Sequence, residues 1–75
     1  MNWSEENNVI SKEFKFKDFK SALEFVNKVG DMAEKMNHHP EIELGWGRVK
    51  VSLTTHSVGK ITDKDKKLAK LIDEL

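Results

Sequence analysis

Residues 41–53 read EIELGWGRVKVSL and contain two alternating runs. Ile42, Leu44 and Trp46 alternate with Glu41, Glu43 and Gly45. Past Gly47-Arg48, Val49, Val51 and Leu53 alternate with Lys50, Ser52 and Thr54. Period-2 alternation marks a strand with one buried face, and two such runs meeting at a glycine mark a hairpin. The connection at Gly47 is not an Asn-Gly pair, so the pattern leaves the register open. Trp46 either floors a cleft for a flat ring or packs in the core or against another subunit.

Upstream of the hairpin, Pro40 stops a helical pattern, because the residue before proline avoids the helical region. That pattern runs from Phe19 to about Met36, with Asp18 as its N-cap. Phe19, Ala22, Leu23, Val26, Val29, Gly30 and Ala33 make one stripe at helical spacing. Phe25, Met32 and Met36 make a second, which serves either as the edge of a wide core face or as a subunit contact. Val9 to Phe16 reads as a strand, although Ile10 and Lys12 share the parity of Phe14 and Phe16. The start, Met1 to Asn8, is polar apart from Trp3 and is expected to be a turn or frayed end.

Downstream, Thr55 to Ile61 is a loop. Thr62 and Asp65 have capping-box spacing for a last helix carrying Leu68, Ala69, Ile72 and Leu75 on one face, with Leu71 beside them. The expected fold is α+β, in the order β-α-β-β-α. It has a small antiparallel sheet with both helices on one face, and one domain spans 1–75. Three strands leave two exposed edges, so the sheet is expected to extend across a dimer.

Thirteen basic and thirteen acidic residues cancel in a chain of 75. A neutral balance argues against non-specific nucleic-acid or membrane binding. Cysteine is absent, which removes disulfides, thiolate nucleophiles and Cys-ligated metal sites. The longest apolar runs are dipeptides such as Phe25-Val26, too short for a membrane span. The expectation is a cytoplasmic protein.

Chemistry can reside in His38, His39 and His56, which all fall at element boundaries. Imidazole titrates near neutrality and can give or take a proton there. Surface histidines with no special role are the competing reading. Adjacent histidines rarely bind one ion, and a His-Glu-x-x-His helix is missing, so a zinc site is not expected. Glu34, four residues before His38, can approach an imidazole or pair with a lysine. Asp65 can cap its helix, and Thr54, Thr55 and Ser57 supply hydroxyls around His56.

The run Glu34-Lys35-Met36-Asn37-His38-His39-Pro40, then Trp46, Thr54-Thr55-His56 and Ile61-Thr62-x-x-Asp65, resembles the pterin-4a-carbinolamine dehydratase family. Phe14-Lys15-Phe16-Lys17-Asp18-Phe19, with Ala22, Phe25 and Trp3, extends the resemblance over nearly the whole chain. It implies dehydration of 4a-hydroxytetrahydropterin to quinonoid dihydropterin and water, without metal or organic cofactor. Carried over, His38 and His56 form the acid–base pair, and His39 joins catalysis and holds the pterin. Glu34, Asn37, Thr55, Ser57 and Asp65 serve substrate binding. The family also implies a homodimer or homotetramer and a metabolic link to an aromatic amino-acid hydroxylase; the neutral charge balance and short apolar runs leave no direct nucleic-acid or membrane contact expected. A protein-binding or regulatory module using the face of Phe25, Met32 and Met36 is the alternative.

Overall fold

The structure is a computed structural model that describes residues 2–75. Its elements are β1 (Ser4–Glu6), β2 (Val9–Lys15), α1 (Phe19–Met36), β3 (Glu41–Gly45), β4 (Arg48–Leu53) and α2 (Asp63–Asp73). The strands form one antiparallel sheet in the order β1-β2-β4-β3. The α+β class holds, and the expected order gains one strand at its front.

That strand, β1, replaces the expected turn or frayed start. It pairs with β2 through Asn7-Asn8, both at positive φ (54° and 64°). Two successive left-handed residues match the twist of a tight hairpin, and asparagine tolerates that region better than most side chains. All three β1 residues are exposed, so no apolar alternation announces the strand. Met1 lies outside the described residues.

Ladder partners share a face of the sheet. The pairs Ile10↔Leu53, Phe14↔Val49, Ile42↔Val51 and Leu44↔Val49 therefore gather on one side. There Ile10, Val49, Val51 and Leu53 pack against Ala22 and Val29 of α1 and against Leu68, Ala69 and Ile72 of α2. Full burial of each Val, Leu or Ile side chain contributes about 1.5–3 kcal/mol. Lys12 faces the same side, opposite Val51. Its stem runs past Phe14, with Nζ 5.1 Å from the ring centroid, and the ammonium reaches Asp73 Oδ1 at 2.8 Å. Lysine can bury its stem while its charge finds a partner, which accounts for the broken parity in β2. Trp3 Nε1–H donates to Asp73 Oδ2 at 2.9 Å, and its ring meets Phe14 edge-on. The isolated tryptophan thus folds back over the core edge and onto α2.

Helix α1 turns Ala22, Val26, Val29 and Ala33 of the expected stripe inward, but not its other members. Ala22, Val29 and Ala33 are buried, while Phe19 and Leu23 are 45% and 40% exposed. Phe25, Met32 and Met36 pack against the core, with Phe25 stacked obliquely on Phe14 and Phe16. At 3.6 residues per turn, these seven inward residues, Val26 included, span an arc of about 120°, and Phe19, Leu23 and Gly30 lie beyond it. The second stripe is the core edge. A Cβ on Gly30 would meet no atom within 4 Å, so close packing does not require that glycine. In α2, Leu75 lies past the helix end and is 47% exposed rather than part of the apolar face.

The β3–β4 turn places Trp46 at its tip, 75% exposed, which rules out core packing within the chain. Gly47 adopts φ 64°, and a Cβ there would stand 2.8 Å from the Phe16 carbonyl oxygen. The same contact carries a hydrogen bond from Phe16 N–H to the Gly47 carbonyl at 2.8 Å, which ties the hairpin to the end of β2.

Asp65 joins three segments. Its carboxylate accepts the Thr62 backbone N–H at 2.9 Å, one arm of the α2 capping box. The same oxygen accepts Thr55 Oγ–H at 2.7 Å, and the other accepts from His38 Nε2 at 2.5 Å. The residue is fully buried. Burial by itself would raise its pKa, but the hydrogen bonds from His38, Thr62 and Thr55 outweigh burial and hold it below the usual 3.8.

Two predictions follow from this packing. Gly47→Ala and Gly59→Ala each force alanine into left-handed backbone, at φ 64° and 66°, but only Gly47 also faces a carbonyl. In urea titrations Gly47→Ala should lose at least about 1 kcal/mol more than Gly59→Ala; equal losses would discount the Phe16 contact. Asp65 binds its proton less readily folded than unfolded. Its stabilising contribution is therefore complete above the ordinary aspartate pKa of 3.8 and is lost as the pH falls through the lower folded value. Asp65→Asn should be less stable at neutral pH and show a flatter stability–pH curve below about pH 4. Parallel curves for the two proteins would rule out the linkage.

Candidate active site

The site is assembled where α1 ends. Asn37 takes φ 51° and ψ 43°, a left-handed residue that reverses the chain. Its N–H reaches the Glu34 carbonyl at 3.2 Å, and His38 N–H reaches Ala33 at 3.0 Å. These bonds form a Schellman motif, which satisfies the last helical carbonyls. Pro40 then leads directly into β3. The β3–β4 register pairs Glu41 with Ser52. Continued past the ladder, that register sets His38 and His39 level with Thr55 and Thr54. The hairpin thus brings His56, beyond β4, to the histidine pair.

His38 is the inner member, with a side chain only 10% exposed. A carboxylate can only accept, so the bond to Asp65 puts the proton on Nε2 and leaves Nδ1 as the nitrogen open to a ligand. Asp65 itself has no surface and spends both oxygens within the chain. Its geometry suits holding His38 rather than touching a ligand.

His39 points elsewhere. Its Nε2 pairs with Glu34 Oε2, and both side chains are largely exposed. The helical spacing of Glu34 and His38 suggests a different partnership, but the reversal at Asn37 carries His38 inward and leaves Glu34 to His39. Both lie on the wall of an adjoining groove of about 410 Å³ that also includes Pro40 and Ile42.

His56 is exposed in the turn after β4. This turn is closed by Thr55 N–H to the Lys60 carbonyl at 3.1 Å and by Gly59 N–H to the Thr55 carbonyl at 2.9 Å. Thr62 Oγ–H donates to Thr55 Oγ at 2.7 Å, since the Thr55 proton goes to Asp65. The hydroxyl of Thr55 is therefore committed to the scaffold, as is that of Thr54, which donates to the Asn8 carbonyl at 2.8 Å.

The three histidines line one open cleft of about 270 Å³. Asn37, Thr54, Thr55 and Ser57 complete its walls, together with Lys64 at the start of α2. Of these, Lys64 has no assigned role in the sequence reading. The only signal for it there is its place beside Asp65 in the first turn of a capped helix. Among the described residues no group of three His, Asp or Glu side chains gathers as a metal site would require. The cleft can hold a flat polar ring between imidazoles and exchange protons with it.

Comparisons with known proteins identify the family of the chain. The family model for pterin 4 alpha carbinolamine dehydratase matches residues 1–75. A Sulfurisphaera tokodaii protein named for the same dehydratases is 55% identical over 73 residues, covering 97% of this chain and 78% of its own length. A counterpart from Picosynechococcus sp. is 48% identical over 73 residues, covering 97% and 79%. A crystal structure titled transcriptional coactivator/pterin dehydratase, from Brucella melitensis, superposes with TM-score 0.92 at 38% identity, covering 96% of this chain and 79% of that one. A pterin dehydratase-like protein described as a RuBisCO assembly factor in the alpha-carboxysome shares the fold, with TM-score 0.78 at 18% identity over 97% and 84%. With its full length matched and its histidines gathered in one cleft, the chain belongs to the pterin 4 alpha carbinolamine dehydratase family.

Proposed function

We propose that the protein dehydrates 4a-hydroxytetrahydropterin, the 4a-carbinolamine, to quinonoid dihydropterin and water. The observation that carries this reading is the convergence of His38, His39 and His56 on one cleft from two distant parts of the chain. The reaction breaks the C4a–O bond. A protonated imidazole gives its proton to the hydroxyl, which leaves as water. A ring-nitrogen proton passes to a neutral imidazole. No electrons are exchanged with a cofactor, and protons moving through solvent reset the pair. Such positioned proton transfers supply about 100- to 10,000-fold in rate.

His38 and His56 are the acid–base pair in this mechanism. Asp65 is a positioning residue that fixes the His38 tautomer and ring orientation. His39, braced by Glu34, meets the ring at the rim, while Asn37 and Ser57 supply polar contacts along the wall. The alternative of a binding module through Phe25, Met32 and Met36 has less support, because those side chains pack against the core.

The test is the absorbance change of freshly generated 4a-hydroxytetrahydropterin, with the spontaneous rate subtracted. His38→Ala and His56→Ala should each lower the enzymatic rate at least about tenfold with the fold retained. Near-parental turnover in verified, folded variants would remove the acid–base assignment.

A further inference from the structure

Lys64 stands out among the cleft walls because its charge has no counterpart. It is the only lysine or arginine among the described residues lining the cleft. As the second residue of α2 (Asp63–Asp73), it sits on a capped first turn that Asp65 ties to both Thr55 and His38. Two nearby carboxylates of the site are engaged elsewhere. Asp65 spends both oxygens on His38, Thr55 and Thr62, and Glu34 pairs with His39. Among the described residues no carboxylate lies within ion-pair distance of Lys64. An ammonium has three donors and accepts nothing, so a ligand entering the cleft meets unspent hydrogen-bond capacity there.

We infer that Lys64 is a substrate-anchoring residue, whose ammonium donates to the lactam oxygen of the bound heterocycle. This inference rests on the dehydratase reading and deepens it. In a pterin that oxygen is carried by the carbon next to C4a, the carbon that loses the hydroxyl. Holding it places the reacting carbon against the histidines. The ring gives up a hydroxide and a nitrogen-bound proton in the same reaction, so its net charge is unchanged and the lactam oxygen is held alike before and during the step. Its contribution is therefore to binding, equal in ground and transition states, and belongs in KM rather than kcat.

The experiment compares the parent with Lys64→Ala and Lys64→Arg, using 4a-hydroxytetrahydropterin for turnover and 7,8-dihydropterin as a stable binding probe. Thermal melts verify folding of each variant. Lys64→Ala should raise KM about tenfold, as expected for losing a charge-assisted hydrogen bond, with kcat within about twofold. The probe Kd should rise in parallel, and Lys64→Arg should restore both. Unchanged KM and Kd, or a fall in kcat at constant KM, would overturn the inference. If the parent binds the probe without turning over substrate, the dehydratase reading fails while the Kd comparison still decides Lys64. Failure of the parent in both assays overturns both.

Discussion

A single buried carboxylate organises this molecule. Asp65 has no exposed surface, yet it stays charged because three donors face it: an imidazole, a hydroxyl and a backbone N–H. Removing a charged group from water is expensive unless each lone pair finds a donor. Here the donors come from the turn after α1, the turn after β4 and the start of α2. Meeting the needs of the carboxylate therefore brings together the segments that carry the site. Loss of a donor therefore leaves a poorly compensated buried charge, and loss of the carboxylate releases the His38 ring.

The remaining scaffold acts through lengths and registers. The β3–β4 hairpin spans Glu41 to Leu53 with a two-residue connection, and its ladder leaves the ends of both strands level. His39-Pro40 enters at that level and Thr54-Thr55 leaves at it. Moving the register by one residue would turn Ile42 and Leu44 away from the helices, so the demand of the core holds the site in place. At the other side of the sheet, Asp73 gathers Trp3 and Lys12, linking the strand that precedes Asn7-Asn8 to the last turn of α2. A lysine on the inward face is tolerable because its charge ends on that carboxylate.

Similar folds do not by themselves fix an activity. A chain 18% identical keeps the architecture under a title that concerns RuBisCO assembly. In this chain the cleft lining combines three imidazoles, one of them braced by a buried carboxylate, with an uncompensated ammonium.

Hydropathy and capping signals along the chain determine α1 from Phe19 to Met36, the two strands of the central hairpin and the cap at Thr62, because these depend on neighbours a few residues apart. The element boundaries they define place His38, His39 and His56 outside the core. The same signals miss β1, which has no buried face, and they set Phe19 and Leu23 on the inward arc of α1 although both are exposed, since periodicity does not say where the edge of an apolar arc meets the sheet. Only the tertiary structure assigns Asp65 to His38 and Glu34 to His39, sends Trp46 to an exposed tip and brings Lys64 to the cleft wall. Such pairings depend on the relative placement of elements far apart in the chain, and local periodicity carries no information about that distance.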